Sequence, residues 1–170
     1  MQEKHEGVGR LKKLKILVVD NKRDFVKLAR NVLETSGYQV FTTSDRKGGL
    51  EMARKETPDL VIMGALEPQG DAFKLNKELR DSPETGNIPT LIVDVRPQEH
   101  SQEGWRWHEG MQMNAEDYLT RPIEPAELVE AVKRTLDRVT SQRPVDSSEI
   151  LNRMEETLRR VEKLEISLAK

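Results

Sequence analysis

The chain has 170 residues, of which 35% are hydrophobic, 34% charged and 4% aromatic, so it has room for one ordinary domain and an appendage but not for two full domains. Its 28 Lys and Arg nearly balance 30 Asp and Glu, which argues against binding to nucleic acid. It has no cysteine, no apolar run long enough to span a bilayer and no signal peptide, so we expect a cytoplasmic protein without disulfides or membrane insertion.

Five short apolar runs indicate the strands of a parallel sheet, because they alternate with amphipathic stretches. Three runs, at residues 16–19, 60–63 and 91–93, are continuously apolar, as expected for central strands covered on both faces. The runs at residues 40–41 and 118–119 are shorter and more polar, so they are expected at the edges of the sheet.

Helices are predicted between these strands. Apolar residues recur at helical spacing over residues 25–33, around Leu50 and Ala53, over residues 73–79, and from Pro125 to Leu136. The crossover at residues 95–117 fits neither a clean helix nor a clean strand, and its conformation stays open.

A further helix is predicted over residues 146–170, after a linker at residues 139–145. Capping-box spacing of Asp146 and Glu149 and a staple of Val145 with Ile150 indicate its start. An apolar stripe then follows at near-heptad spacing: Ile150, Leu151, Met154, Leu158, Val161, Leu164 and Leu168. The stripe can pack on the preceding domain, form a dimer or dock in a partner's groove. We favour a coiled-coil-like homodimer, because the stripe then buries itself without another partner.

Candidate functional residues follow the ends of the strands, where ligands bind in open parallel sheets. Asp20 and Asn21 follow the first strand, Gly64 the third, Asp94 the fourth and Arg121 the fifth.

This set, with turn residues Pro58-Asp59, Pro68, Asp71 and Ile88-Pro89, resembles the CheY-like receiver domain of two-component response regulators. The resemblance covers residues 14–138, after a tail at residues 1–13. It implies an α/β fold with a doubly wound, five-stranded parallel sheet in the flavodoxin-like order 2-1-3-4-5, here with an added C-terminal helix. In that family an acidic pair after strand one binds magnesium, and an aspartate after strand three accepts a phosphoryl group from a histidine kinase. A Ser or Thr follows strand four and a Lys-Pro follows strand five.

All of the matched positions except Asp20 are altered. Gly64 stands where the resemblance places the phosphoacceptor, and it offers no nucleophilic oxygen. Asn21 replaces a carboxylate, so magnesium should bind poorly. Asp94 replaces the hydroxyl residue and Arg121 the lysine. We therefore expect a degenerate pocket without metal or cofactor, in which Arg121 pairs with Asp94, Asp20 or both.

The resemblance and these departures predict a non-enzymatic pseudo-receiver that signals through phosphorylation-independent contact with protein partners. The family's usual partner face maps to residues 95–113, Tyr118 and the helix from Pro125, and we expect Trp105 and Trp107 to contribute to it. Two alternatives stay open: a phosphorelay receiver with Glu67 as a non-standard acceptor, and a small-ligand sensor in the vacated pocket.

The histidines of the fourth crossover, His100 and His108, lack the spacing of metal ligands. We therefore expect both at the surface.

Overall fold

The computed structural model describes residues 12–112, 114–141 and 147–169. Five parallel strands form one sheet in the order 2-1-3-4-5, with β2 and β5 at its edges. This confirms the fold, the strand order and the edge positions that the sequence predicts. The strands are β1 (Lys15–Val19), β2 (Gln39–Thr43), β3 (Leu60–Met63), β4 (Thr90–Asp94) and β5 (Asp117–Thr120).

Helices occupy every segment where helical spacing predicts them. They are α1 (Arg23–Thr35), α2 (Arg46–Glu56), α3 (Asp71–Asp81), α4 (His100–Glu103), α5 (Trp107–Gly110), α6 (Pro125–Thr140) and α7 (Ser147–Leu168). The fourth crossover contains a 3-10 helix (Pro97–Glu99) followed by α4 and α5. Elements this short show no periodicity in sequence, which explains why the pattern of residues 95–117 fits no single element.

Two apolar layers cover the faces of the sheet, because successive strand residues point to opposite faces. The layer under α1 and α6 is built on Ile16, Val18, Ile62 and Leu91. The opposite layer is built on strand residues such as Val61 and lies under α2 and α3; it also includes Trp105 and two residues of α7.

The C-terminal helix packs on the chain's own domain at its N-terminal end. Ile150 and Met154, predicted to lie in a dimer interface, are instead buried in the layer that contains Trp105 and Tyr118. In this structure those two residues therefore contact their own domain, because an apolar face of the same domain lies within their reach. The rest of the stripe is less covered: Leu151, Leu158, Val161 and Leu164 are half-buried and Leu168 is exposed.

The predicted linker overlaps the end of a helix. α6 continues to Thr140, so the segment predicted as a linker from residue 139 begins inside its last turn. The predicted capping residues Val145 and Asp146 lie outside the described residues, as do residues 1–11 of the N-terminal tail. None of the helices described combines the length and hydropathy needed to cross a bilayer.

Candidate functional site

The sequence-predicted site residues converge at the carboxyl edge of the sheet. Asp20 directly follows β1, Gly64 follows β3, Asp94 ends β4 and Arg121 follows β5. The strands are parallel and pair in register, with Val19 opposite Met63. The residues that follow these strands therefore meet at one edge.

Arg121 reaches across this edge and pairs with Asp20. Arg121 Nη2 forms an ion pair with Asp20 Oδ2, and Nη1 lies 3.4 Å from Oδ1. The same Nη2 donates to the carbonyl oxygen of Val93 at 3.0 Å, and the guanidinium lies 4.3 Å from the centre of the Phe25 ring, within the range of a cation–π contact. Asp20 is 1% and Arg121 7% exposed, so the sequence-predicted ion pair is present and buried.

Backbone groups complete the hydrogen bonding of Asp20. Its Oδ1 accepts from the N–H of Lys22 at 2.7 Å, and its Oδ2 accepts from the N–H of Ala65 at 2.9 Å. Burial raises the pKa of the Asp20 carboxyl, whereas Arg121 and the two N–H groups oppose this increase. Each carboxylate oxygen therefore already has donors from the protein itself.

The ion pair fills the space beside Gly64. A Cβ added at Gly64 would lie 2.8 Å from Asp20 Cγ and closer still to Asp20 Oδ2 and Arg121 Nη2, which is shorter than van der Waals contact allows. No larger side chain fits at position 64 while Asp20 and Arg121 keep this arrangement.

The residues present do not fit the magnesium ion that the resemblance implies. Magnesium takes oxygen ligands in a near-octahedral arrangement, but Arg121 places a cation directly on the Asp20 carboxylate. Gly64 contributes no side-chain oxygen, and Asn21 offers a neutral amide whose Oδ1 is buried without a hydrogen-bond partner. Among the described residues, no cluster of three or more His, Asp or Glu side chains is placed to hold a metal ion.

Asp94 does not pair with the Arg121 side chain, although the sequence left that pairing open. Its Oδ2 instead accepts from Tyr118 OH at 2.6 Å and lies 3.0 Å from His100 Nε2. Its Oδ1 accepts from the N–H of Val95 at 2.8 Å and from that of Trp105 at 3.2 Å. Asp94 therefore joins β4, β5 and the fourth crossover at one buried carboxylate.

Three predictions of exposure in this region need correction. Tyr118 and Trp105, expected in the partner surface, are buried, because they pack in the apolar layer that also contains Ile150 and Met154 of α7. His100, expected at the surface, is buried against Asp94, and its ring fits only because Gly104 lacks a Cβ. Trp107 is 37% exposed, so it alone of the two tryptophans contributes to the surface.

A second buried carboxylate, Asp117, attaches α7 to the sheet, and sequence reasoning missed it. Its Oδ2 accepts from Arg134 Nη2 at 2.6 Å, and its Oδ1 pairs with Arg153 of α7. Next to it, the hydroxyl groups of Thr120 and Thr157 lie 2.7 Å apart. The sequence does contain one signal for this role, because Asp117 is an acidic residue at the start of a strand that is otherwise buried. A buried carboxylate requires a cationic partner from elsewhere in the chain.

An open cleft of ≈ 580 Å³ lies beside the ion pair. Glu67, weighed as an alternative acceptor, is exposed at its rim. The other lining residues are Asp20, Asn21, Arg23, Val26, Lys27, Thr42, Thr43 and Ser44.

Comparisons with known proteins agree on one protein family. The sequence profile of the response regulator receiver domain matches residues 16–133. The chain is 31% identical over 122 residues to Protein PilH of Pseudomonas aeruginosa, covering 72% of this chain and 97% of PilH. It is 35% identical over 138 residues to the alkaline phosphatase synthesis transcriptional regulatory protein PhoP of Bacillus subtilis, covering 81% of this chain. The chain spans about half (54%) of the length of PhoP.

A solved structure agrees with this result. A crystal structure from Chloroflexus aurantiacus, described as a response regulator, superimposes with a TM-score of 0.65 at 31% sequence identity. The match covers 75% of this chain and 100% of that one.

Proposed function

Because this chain belongs to the response regulator receiver domain family, we propose that it is a pseudo-receiver, which signals by protein contact and not by accepting a phosphoryl group. The observation that carries the proposal is the Asp20–Arg121 ion pair in the space beside Gly64. Phosphoryl transfer needs an oxygen nucleophile and cations that stabilise the transferring group. Gly64 supplies no nucleophile, and Arg121 is already neutralised by Asp20.

The altered fourth position supports the same proposal. Asp94 brings a buried carboxylate to the place where the family resemblance puts a hydroxyl group, and its oxygens are occupied by Tyr118, His100 and two backbone N–H groups. A carboxylate there repels a phosphoryl group. Phosphorylation acts on a receiver by favouring one of two states. A receiver without it stays in one state or is switched by a partner.

Homodimerisation through α7 is part of the proposal. Beyond Thr157, the helix carries apolar side chains that its own domain leaves half-buried or exposed, among them Leu158, Val161, Leu164 and Leu168. A matching stripe on a second copy would cover them. Sedimentation at tens of micromolar tests the dimer, and a strictly monomeric chain would overturn it.

The test of the proposed function is exposure of the intact chain to acetyl phosphate with magnesium, followed by intact-mass measurement. We expect no mass increase from a phosphoryl group. A stoichiometric adduct that is acid-labile and sensitive to hydroxylamine would overturn the proposal. If Glu67→Gln abolished such an adduct, the phosphorelay alternative with Glu67 as acceptor would replace it.

The cleft beside the ion pair favours ligand sensing as a second candidate function. Its hydroxyl and cationic side chains, with the unpartnered Oδ1 of Asn21, suit a polar small molecule. A thermal-shift screen tests this, with Lys27→Met as the cleft variant. A ligand that stabilises the parent chain but not this variant would support sensing, and a screen without a hit would remove the candidate.

A further inference from the structure

We infer that α7 has two mutually exclusive positions, docked on its own domain or paired with α7 of a second copy, and that pairing opens the face that α7 covers. We call the part of the domain around Gly110, Asp117, Tyr118 and Thr120 the covered face. The inference rests on the dimer of the proposed function and adds that dimerisation and exposure of this face are one event.

The docked position uses mainly the beginning of the apolar stripe. Met154 packs directly on Gly110, where an added Cβ would collide with the Met154 sulfur. Ile150 is buried beside it, and one turn further along α7 the hydroxyl of Thr157 meets that of Thr120 on the covered face. Beyond this point the stripe residues are half-buried or exposed. The docked helix therefore leaves much of its apolar surface incompletely covered by its own domain.

A second copy of α7 suits the rest of the stripe. Leu168 is 84% exposed, and Leu158, Val161 and Leu164 are only half-buried. This part continues the line of Ile150 and Met154, so two such helices can bury the whole length of both stripes against each other. Ile150 and Met154 cannot contact the covered face and a second helix at once. Full pairing therefore requires undocking.

Undocking leaves each charge of the Asp117–Arg153 pair with another partner. Asp117 keeps its hydrogen bonds from Arg134 Nε, at 3.1 Å, and Nη2, at 2.6 Å, after Arg153 departs. Arg153 keeps Glu149 of its own helix, whose Oε1 lies 2.7 Å from Arg153 Nη2. Because breaking a buried ion pair is costly mainly when one charge is left alone, this arrangement permits reversible release of α7.

Release would expose an aromatic surface. Tyr118 and Trp105 lie in the same apolar layer as Ile150 and Met154, and large aromatic side chains of this kind dominate binding energy at protein interfaces. Tyr118, which the sequence analysis assigns to the partner surface, would then become accessible only when α7 is released.

Two variants on the domain, outside the stripe, should release α7. Gly110→Ala places a Cβ against Met154, and Thr120→Lys replaces the hydroxyl that meets Thr157 by a much longer side chain at the contact with α7. Because both copies must undock to pair, we expect each variant to tighten dimerisation about tenfold or more in sedimentation equilibrium. Leu164→Lys should abolish the dimer and keep α7 docked, whereas Ile166→Lys, off the stripe, is its matched control.

Tryptophan fluorescence measures the exposure of the covered face in the same samples. In a Trp107→Phe background, Trp105 is the single tryptophan; its emission should shift to the red as the dimer forms and stay blue in Leu164→Lys. If the chain dimerises but Gly110→Ala and Thr120→Lys leave both affinity and emission unchanged, the inference is wrong and the dimer stands. If the parent chain and every variant stay monomeric, the proposed dimer is wrong and the inference falls with it. Both outcomes leave the acetyl phosphate test untouched.

Discussion

At the level of single residues, Asp20 and Arg121 are stable in the interior only as a pair. Removing one partner leaves a buried charge, so we expect Arg121→Met to lower the free energy of unfolding by about 3–5 kcal/mol. Urea denaturation measures the loss. The double variant Asp20→Leu/Arg121→Met should recover much of it, because apolar residues replace a buried ion pair at little cost. Equal losses in the single and double variants would contradict the coupling.

Gly64 is required by the same pair. We expect Gly64→Ala to cost about 1–3 kcal/mol, because the added methyl group overpacks a site that Asp20 and Arg121 already fill. In the Asp20→Ala/Arg121→Met background, which removes both side chains that the added methyl group would meet, the cost should shrink, and denaturation of both pairs of variants measures the difference. Identical costs in the two backgrounds would show that the ion pair does not occupy this space.

Ionisation of Tyr118 is expected to lower the free energy of unfolding at alkaline pH. Burial is the largest cause that raises its pKa well above the ordinary value, and the neighbouring Asp94 adds to the increase. The unfolded chain ionises this phenol near its ordinary pKa of about 10, so the stability from the neutral phenol is complete below that pH and is lost above it.

The alkaline effect has a direct readout in tyrosinate absorbance. The chain has two tyrosines, and burial raises the pKa of Tyr38 as well. We expect the Tyr118 signal to appear only together with unfolding followed by circular dichroism, and Tyr118→Phe should remove that part of the signal. Ionisation of both tyrosines before any loss of ellipticity would contradict the buried hydrogen bond to Asp94.

The sequence was enough to predict which residues meet at this edge of the sheet but not all of their contacts. Asp20, Gly64, Asp94 and Arg121 could be found because each follows an apolar run, and the strands of a parallel sheet end at one edge. The choice of Asp20 over Asp94 as the partner of Arg121 could not be made, because Asp94 is satisfied by His100 from a crossover that has no sequence periodicity.

At the level of elements, α7 is held by few apolar side chains. We expect Met154→Ala to cost about 2–5 kcal/mol, since it leaves a cavity against Gly110 in a packed layer. Leu168→Ala is the matched control on the exposed end of the helix and should change little. Thermal or urea unfolding at low protein concentration compares the two. Equal effects would contradict docking by the N-terminal end of α7.

The sequence predicts most strands and helices well, but it does not predict where α7 packs. Apolar runs and helical spacing are local, so β1, β3, β4, α1 and α6 could be predicted directly. The stripe of α7 fits a dimer and a docked helix equally well, because apolar spacing states which face is buried but not against what. The contact of Met154 with Gly110 depends on a glycine in an irregular crossover, which carries no such signal.

At the level of the whole molecule, buried polar side chains join the strands of the sheet to one another and to the helices. Arg121 joins β5 to β1 through Asp20, and Asp94 joins β4 to β5 through Tyr118. Asp117 joins β5 to α6 and α7. A phosphoryl group would have to displace the first of these bonds before it could change the conformation, and Gly64 has no oxygen that could accept it.

The most direct measurement is an amide NMR titration of the intact chain with magnesium and beryllofluoride, which forms with a carboxylate the tetrahedral adduct that mimics a phosphoryl group. We expect the amide signals of Ala65, Val95 and Arg121 to stay unchanged, because the Asp20–Arg121 pair occupies the site and Gly64 has no carboxylate. Saturable shifts of these signals that require both additions would contradict a phosphorylation-independent receiver.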